Sequence, residues 1–172
     1  MTISMYQASV PRLAHMLRNL SAILDKAQAH AAAKKIEPAV LLGARLFPDM
    51  LPLVKQVQIA TDHAKGAVAR LAGVEVPRYE DTEQDFEELQ ARIAKTLAFV
   101  ESFSAAQIDG SDDRVITLKS GGREVSFPGT PYLLGFALPN FYFHVVTAYN
   151  ILRHNGVEIG KRDYTGALDS IV

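Results

Sequence analysis

A stripe of large aliphatic residues constrains this chain more than any other feature. Leu13, Leu17, Leu20, Ile23 and Leu24 recur at steps of three and four residues, and Ala27 and Ala31 extend the line. A period near 3.6 puts all of them on one face of a helix, and that face must be buried against other elements. Residues 12 to 35 are also rich in Ala, Leu, Lys and Gln, which are good helix formers. Pro11 stands near the start, where proline costs least. The spacing predicts a first long helix over 10–33.

The same period returns three times. In "EPAVLLGARLFPDM", Pro38 and Pro48 bracket a short apolar turn of helix. "DMLPLVKQVQIATDHAKGAVARLAG" predicts a second long helix over 49–72, with Asp49 as N-cap, Pro52 in the first turn and Gly73 as its stop. Its stripe is Val54, Val57, Thr61, Ala64, Val68 and Leu71, and Ala60, Ala64, Gly66 and Ala67 would let a neighbouring helix approach closely. A third helix is expected over 82–104, opened by Thr82 and Glu83 and carried by Phe86, Leu89, Ile93, Leu97 and Val100. A fourth is expected over 139–154, restarted by Pro139 and closed by Gly156. The tail "VEIGKRDYTGALDSIV" should pack back along these helices.

The period breaks once. "RVITLKSGGREVSF" sets Val115, Thr117 and Lys119 against Ile116 and Leu118, with Gly121-Gly122 as the turn. That predicts a β-hairpin over 114–127. The whole reads as all-α, a four-helix bundle with a small β-hairpin inserted before the last long helix, in a single domain over 1–172.

Composition narrows the function classes. Apolar residues are 48% and charged residues 22%, an ordinary globular balance. The net charge of −1 supplies no global field toward nucleic acid or acidic lipid, so neither is expected as a partner. The absence of cysteine excludes disulfides, thiolate metal sites and cysteine nucleophiles. The N-terminus has no signal-peptide pattern, and no apolar stretch approaches the ~20 residues of a bilayer span. A cytoplasmic protein is the expectation.

The candidate chemistry centres on "NFYFHVVTAYNILRH". His144 projects between Ile151 and Ala148, at the edge of the core-facing side, while Thr147, Asn150, Arg153 and His154 make the polar arc. Asn140 stacks one turn before it on the same face. His144 is therefore read either as a buried histidine hydrogen-bonded to a neighbour or as a ligand or base with partners from other helices, with Asn140 alongside. Asp62 and His63 in "TDHAKG" are adjacent and cannot both point the same way; helix phase does not pick the inward one, and both are read as surface. His15 and His30 also read as surface. The five histidines form no HxxxH pair and no HExxH, and there is no GxGxxG, GxxxxGK[ST] or GxSxG.

Three stretches carry a resemblance: "SMYQASVP", "PDMLPLVKQVQIATD" and "LPNFYFHVVTAYNILRHNGVEIGKRDYTG". Nearly end to end, the chain resembles an uncharacterised bacterial family, a domain of unknown function within the DinB/YfiT-like superfamily. That resemblance implies a four-helix bundle, often dimeric, in which many members hold a divalent metal with three histidines. One comes from helix two and two from helix four. Some members are thiol-dependent S-transferases. In typical metal-binding members helix four carries two histidines four apart, followed at eight and nine residues by Leu-Arg. Here Leu152-Arg153 follows His144 at that offset, so His144 matches the second histidine and the first falls on Asn140. The helix-two ligand falls near Asp62 or His63. With its place on the apolar arc and the stack with Asn140, this register leads to the expectation that His144 faces the bundle interior and bonds a side chain of the second long helix, with Asn140 alongside. Asparagine is a poor ligand for zinc or nickel, so the implied site is degenerate.

Two functions follow as expectations. One is a divalent-metal-binding hydrolase or transferase (Zn or Ni) with a degenerate site at His144, Asn140, His63 and Asp62. The other is a non-catalytic helical bundle that binds a small ligand or partner, or dimerises, without metal. A homodimer is expected in either case.

Overall fold

A computed structural model describes residues 3–120 and 122–167. Its first helix, α1 (Met5–Lys34), begins at a capping box. Ser4 Oγ accepts from the Gln7 N–H at 3.3 Å, and Gln7 Oε1 accepts from the Ser4 N–H at 3.2 Å. Two orphan donors are thereby satisfied, and the helix starts five residues before the expected 10. Pro11 consequently lies inside it. The missing proline N–H costs a ladder bond, which the fully buried Leu13, Leu17, Leu20, Ile23 and Leu24 outweigh.

After the short α2 (Pro38–Leu42), helix α3 (Leu53–Ala72) starts four residues later than expected, with Pro52 and not Asp49 at the cap. The third long helix, α4 (Phe86–Glu101), is also shorter than 82–104. Asp85 is its cap, through a 2.8 Å bond from the Glu88 N–H, and residues Ala105–Ile108 form a separate turn, α5. Strands β1 (Ile116–Ser120) and β2 (Arg123–Phe127) pair antiparallel, Ile116 with Phe127 through Ser120 with Arg123. This is the expected hairpin; of its expected turn glycines, Gly122 has φ 76 and Gly121 lies outside the described residues.

The last long helical run is broken in register. It comprises α6 (Gly129–Tyr132), a π-helical stretch (Leu133–Ala137) and α7 (Leu138–His154). Pro139 has no N–H to offer Gly135, and the ladder before it opens to five-residue steps, the Leu138 N–H reaching Leu133 O. The tail packs back as expected, through α8 (Lys161–Thr165) against α1. His15, read as surface, bonds Thr165 O at 2.8 Å, Asn19 Nδ2 donates to Tyr164 O at 2.9 Å, and Lys26 pairs with Asp163 at 2.6 Å. The tail's last five residues, 168–172, lie outside the described residues.

The chain is thus mostly helical, with one small antiparallel hairpin among the described residues. Helix α1 packs on α4, α4 on α3, α3 on α7, and α7 returns to α1. Helix α3 touches all three others and is buried almost all round, including Gln56, Gln58, Thr61 and Lys65. Thr147 of α7, placed on the polar arc by helix phase, is also buried; its hydroxyl donates back to Phe143 O at 2.7 Å.

One buried cation fastens the linker between α3 and α4. The Arg92 side chain is 2% exposed. Its Nε donates to Thr61 Oγ1 at 2.7 Å, Nη1 to Glu83 at 2.9 Å and Glu80 O at 3.1 Å, and Nη2 to Asp62 at 2.9 Å. Burial opposes ionisation of Glu83, yet the Arg92 and Gln58 hydrogen bonds outweigh it and hold its carboxyl below the ordinary value. Among the described residues, no helix is long and apolar enough to cross a membrane.

Candidate functional site

Gln56, His63 and Arg70 recur every seven residues on α3, which makes them one polar line along a single face. Opposite lies α7, the helix in closest association with α3. His144 reaches across as expected, and the acceptor is Gln56: the ring Nδ1 lies 2.7 Å from Gln56 Oε1. Gln56 Nε2 donates to Leu51 O at 3.0 Å. A backbone carbonyl can only accept, so the amide orientation is fixed, and His144 Nδ1 must be the donor. Its Nε2 is left with a lone pair. Burial lowers the His144 pKa, which favours this neutral form.

His63 stacks on His144, ring centroids 5.8 Å apart and planes within 16°. Phe136 also lies beside His63, with ring centroids 5.9 Å apart. The π-helical stretch delivers Phe136 here, and the same ring stacks on Phe127 of the hairpin and on Tyr132. His63 is half-buried by this packing, not at the surface as expected. Burial first, then the charges of His144, Arg70 and Lys65, lower its pKa to about 4 against the opposing pull of Asp62. Both rings are neutral at pH 7.

The other two expected residues go elsewhere. Asp62 turns toward α4, where its Oδ1 meets Lys65 Nζ at 2.7 Å and Arg92 Nη2 at 2.9 Å. Asn140 donates its amide to Phe136 O at 2.7 Å, within its own helical run. Neither bonds to a histidine. Among the described residues, no three His, Asp or Glu side chains are placed to hold one metal ion. The donor set here is two imidazoles, with the amide and the carboxylate committed to other partners and two cations, Arg70 and Lys65, nearby. That set does not fit a three-ligand divalent metal site.

What the site does possess is a cavity. About 300 Å³ opens between α3, β1 and the π-helical stretch, lined by Asp62, His63, Arg70, Thr117, Leu118, Lys119 and Phe136. Aliphatic, aromatic, imidazole and cationic groups meet in it, the mixture a small organic molecule needs for burial and orientation. A larger groove of about 560 Å³ runs past Tyr79 and Arg92. Its central Arg92 is already saturated by protein acceptors.

The model of a domain of unknown function, DUF1993, matches residues 5–165, which is nearly the whole chain. The chain belongs to the DUF1993 family. A solved structure agrees. The DUF1993 chain is 44% identical to a DinB family member protein from Shewanella denitrificans, with a TM-score of 0.85 over 95% of this chain and 92% of that one. The DinB-like relationship read from the sequence is therefore shown. No curated protein matches. Sequence reasoning missed Gln56, Arg70 and Phe136 in this DUF1993 site. The heptad line of polar residues on α3 was the signal for the first two.

Proposed function

We propose that this protein is a single-domain DinB-like four-helix bundle that binds a small organic ligand in the cavity between α3, β1 and the π-helical stretch without a resident metal. The observation that carries this is the commitment of the two non-histidine candidates. Asp62 is neutralised by Lys65 and Arg92, and Asn140 is bonded to Phe136 O. The His63 ring remains at the cavity as a neutral hydrogen-bonding group, stacked on His144 and beside an apolar floor of Phe136 and Leu118. That imidazole can orient a ligand's donor or acceptor, and Phe136 can stack on a planar body. This is the second of the two functions anticipated from the sequence. The hydrolase or transferase reading needs a third ligand, for which Asn140 and Asp62 would have to exchange their present partners.

The test is a titration of isotope-labelled, tag-free protein with a mixed panel of neutral and charged fragments, followed by amide and imidazole NMR shifts. Compounds are expected to move the signals of His63, Leu118 and Phe136 together. A panel that leaves those signals unmoved, or protein purified with one divalent metal per chain, would overturn the proposal.

The homodimer remains a proposal as well. Phe143 on the outer face of α7 is 57% exposed and packs edge-on against His144. An aromatic ring so exposed beside the site suits a second copy. Light scattering at high micromolar concentration should give twice the monomer mass; a monomer would count against it.

A further inference from the structure

We propose that Arg70 is the anion-recognition group of this cavity, and that its ligand is a small organic anion, a carboxylate or phosphate monoester with an apolar body. The inference rests on the reading of the cavity as a ligand site and names the chemistry of what enters it.

Arg70 differs from a structural arginine, and Arg92 in the same fold supplies the comparison. Arg92 is almost fully buried and satisfies its guanidinium with Thr61, Asp62, Glu80, Glu83 and Gln58. Among the described residues Arg70 makes one side-chain hydrogen bond, from Nη1 to the Tyr132 hydroxyl at 3.2 Å, and no ion pair. A guanidinium has five N–H donors. Most of those of Arg70 are uncommitted, in a half-buried group at the wall of a cavity.

Its position is built. Gly66 stands one turn before Arg70 on α3, and the guanidinium lies back across it. A Cβ at Gly66 would collide with Arg70 Nη1, and the three nearest atoms to that Cβ all belong to Arg70. Glycine in the middle of a helix is unfavourable relative to alanine. Here the space it leaves is filled by the charged end of its own helix neighbour, not by an approaching helix as the run of small residues led us to expect. Tyr132, buried in the α6 turn, holds the arrangement from above: its hydroxyl accepts from Arg70 and sits 3.4 Å from Gly66 O.

The remaining charges at the cavity are offset. Asp62 is bound by Lys65 and Arg92, and Lys119 faces Glu124 at 3.3 Å. Among the described residues that line the cavity, Arg70 is therefore the uncompensated charge, and it is of the type whose planar fork matches an oxyanion. Phe136 and Leu118 face the same space and suit the apolar body.

Phenyl phosphate and phenol, a charged probe and its neutral counterpart, test this by calorimetry and NMR on the full chain. The wild type is expected to bind phenyl phosphate more tightly than phenol. Arg70→Gln should weaken phenyl phosphate by about ten- to a hundredfold and leave phenol unchanged. Gly66→Ala is the second arm, and it keeps the charge. It should raise the melting temperature, because alanine favours the helix, while displacing the guanidinium and weakening phenyl phosphate in the same direction. Equal binding of both probes by the wild type, or undiminished phenyl phosphate binding by Gly66→Ala and Arg70→Gln, would overturn the role of Arg70 while the cavity remained a ligand site. Failure of both probes and of the neutral fragments would remove the cavity reading itself.

Discussion

His144 and Gln56 are joined across the α3–α7 contact by a 2.7 Å hydrogen bond from the ring Nδ1 to the side-chain Oε1. Gln56 is 2% exposed, so neither water nor another side chain replaces a lost partner easily. His144→Ala should lower stability by roughly 1–3 kcal/mol, the cost of a buried polar group left unsatisfied. Gln56→Ala should cost a similar amount, and the double variant less than the sum. Urea unfolding of the four proteins measures this. Strict additivity would mean that the bond does not couple the two helices.

The second prediction concerns acid. His63 titrates near its ordinary 6.5 when unfolded and at about 4 when folded. Between these values the unfolded chain binds a proton that the folded one does not, so stability falls as pH drops from about 6.5 and levels off below about 4. Burial opposes protonation most, then His144, Arg70 and Lys65, while Asp62 favours it. Discounted for partial exposure, the loss is roughly 1–3 kcal/mol. Unfolding of the wild type and of His63→Gln at pH 7 and pH 4.5 should show the smaller drop in the variant. Parallel drops would mean that His63 is not held neutral.

Arg92 anchors the α3–α4 linker from the interior. Arg92→Ala leaves Glu83 and Asp62 without their buried partner and should cost about 3–5 kcal/mol. Lys119→Gln removes one end of an exposed pair, Lys119–Glu124, whose side chains are 83% and 63% exposed. It should change stability by less than about 0.5 kcal/mol. Thermal unfolding of both separates the two cases, and comparable losses would contradict this ranking.

Two glycines should respond in opposite ways to alanine. A Cβ at Gly66 meets only the flexible end of Arg70, whereas one at Gly129 runs into the backbone carbonyl of Ser111. Thr130 N also bonds Asp112 O at 2.9 Å, so the two segments cannot separate freely. Gly66→Ala should gain about 0.5–1 kcal/mol, and Gly129→Ala should lose about 1–3 kcal/mol. Melting temperatures that shift in the same direction would show that one of these contacts is misjudged.

The sequence made the long helices legible because each carries a 3.6-period stripe, and the hairpin legible because its period is two. The helix starts were less so. Ser4 and Gln7 form a capping box upstream of Pro11, and the proline drew the predicted start inward. In the last helix, the missing N–H of Pro139 was visible, but its consequence, a π-helical stretch that aims Phe136 at His63, depends on how the preceding turn relaxes. His144 was legible from its place on the α7 arc. Asp62 and His63 were not separable by phase, since each flanks the α3 stripe. What divides them is what lies beside each flank: Arg92 of α4 on one side, and the His144 and Phe136 rings on the other. Arg70 escaped notice because a charged residue near a helix end reads as solvated. Only its geometry with Gly66 and Tyr132 marks it out.

The most direct measurement is a calorimetric titration of zinc and nickel into tag-free protein at pH 7. With His63 and His144 as the only converging donors among the described residues, no stoichiometric uptake is expected at a free metal concentration of about 10 μM, since a full structural site binds by roughly 10–16 kcal/mol. The His144 imidazole should keep its Nδ1–H tautomer throughout. One metal per chain at submicromolar affinity, lost in His144→Ala, would contradict the assignment of this cavity to a metal-free organic ligand.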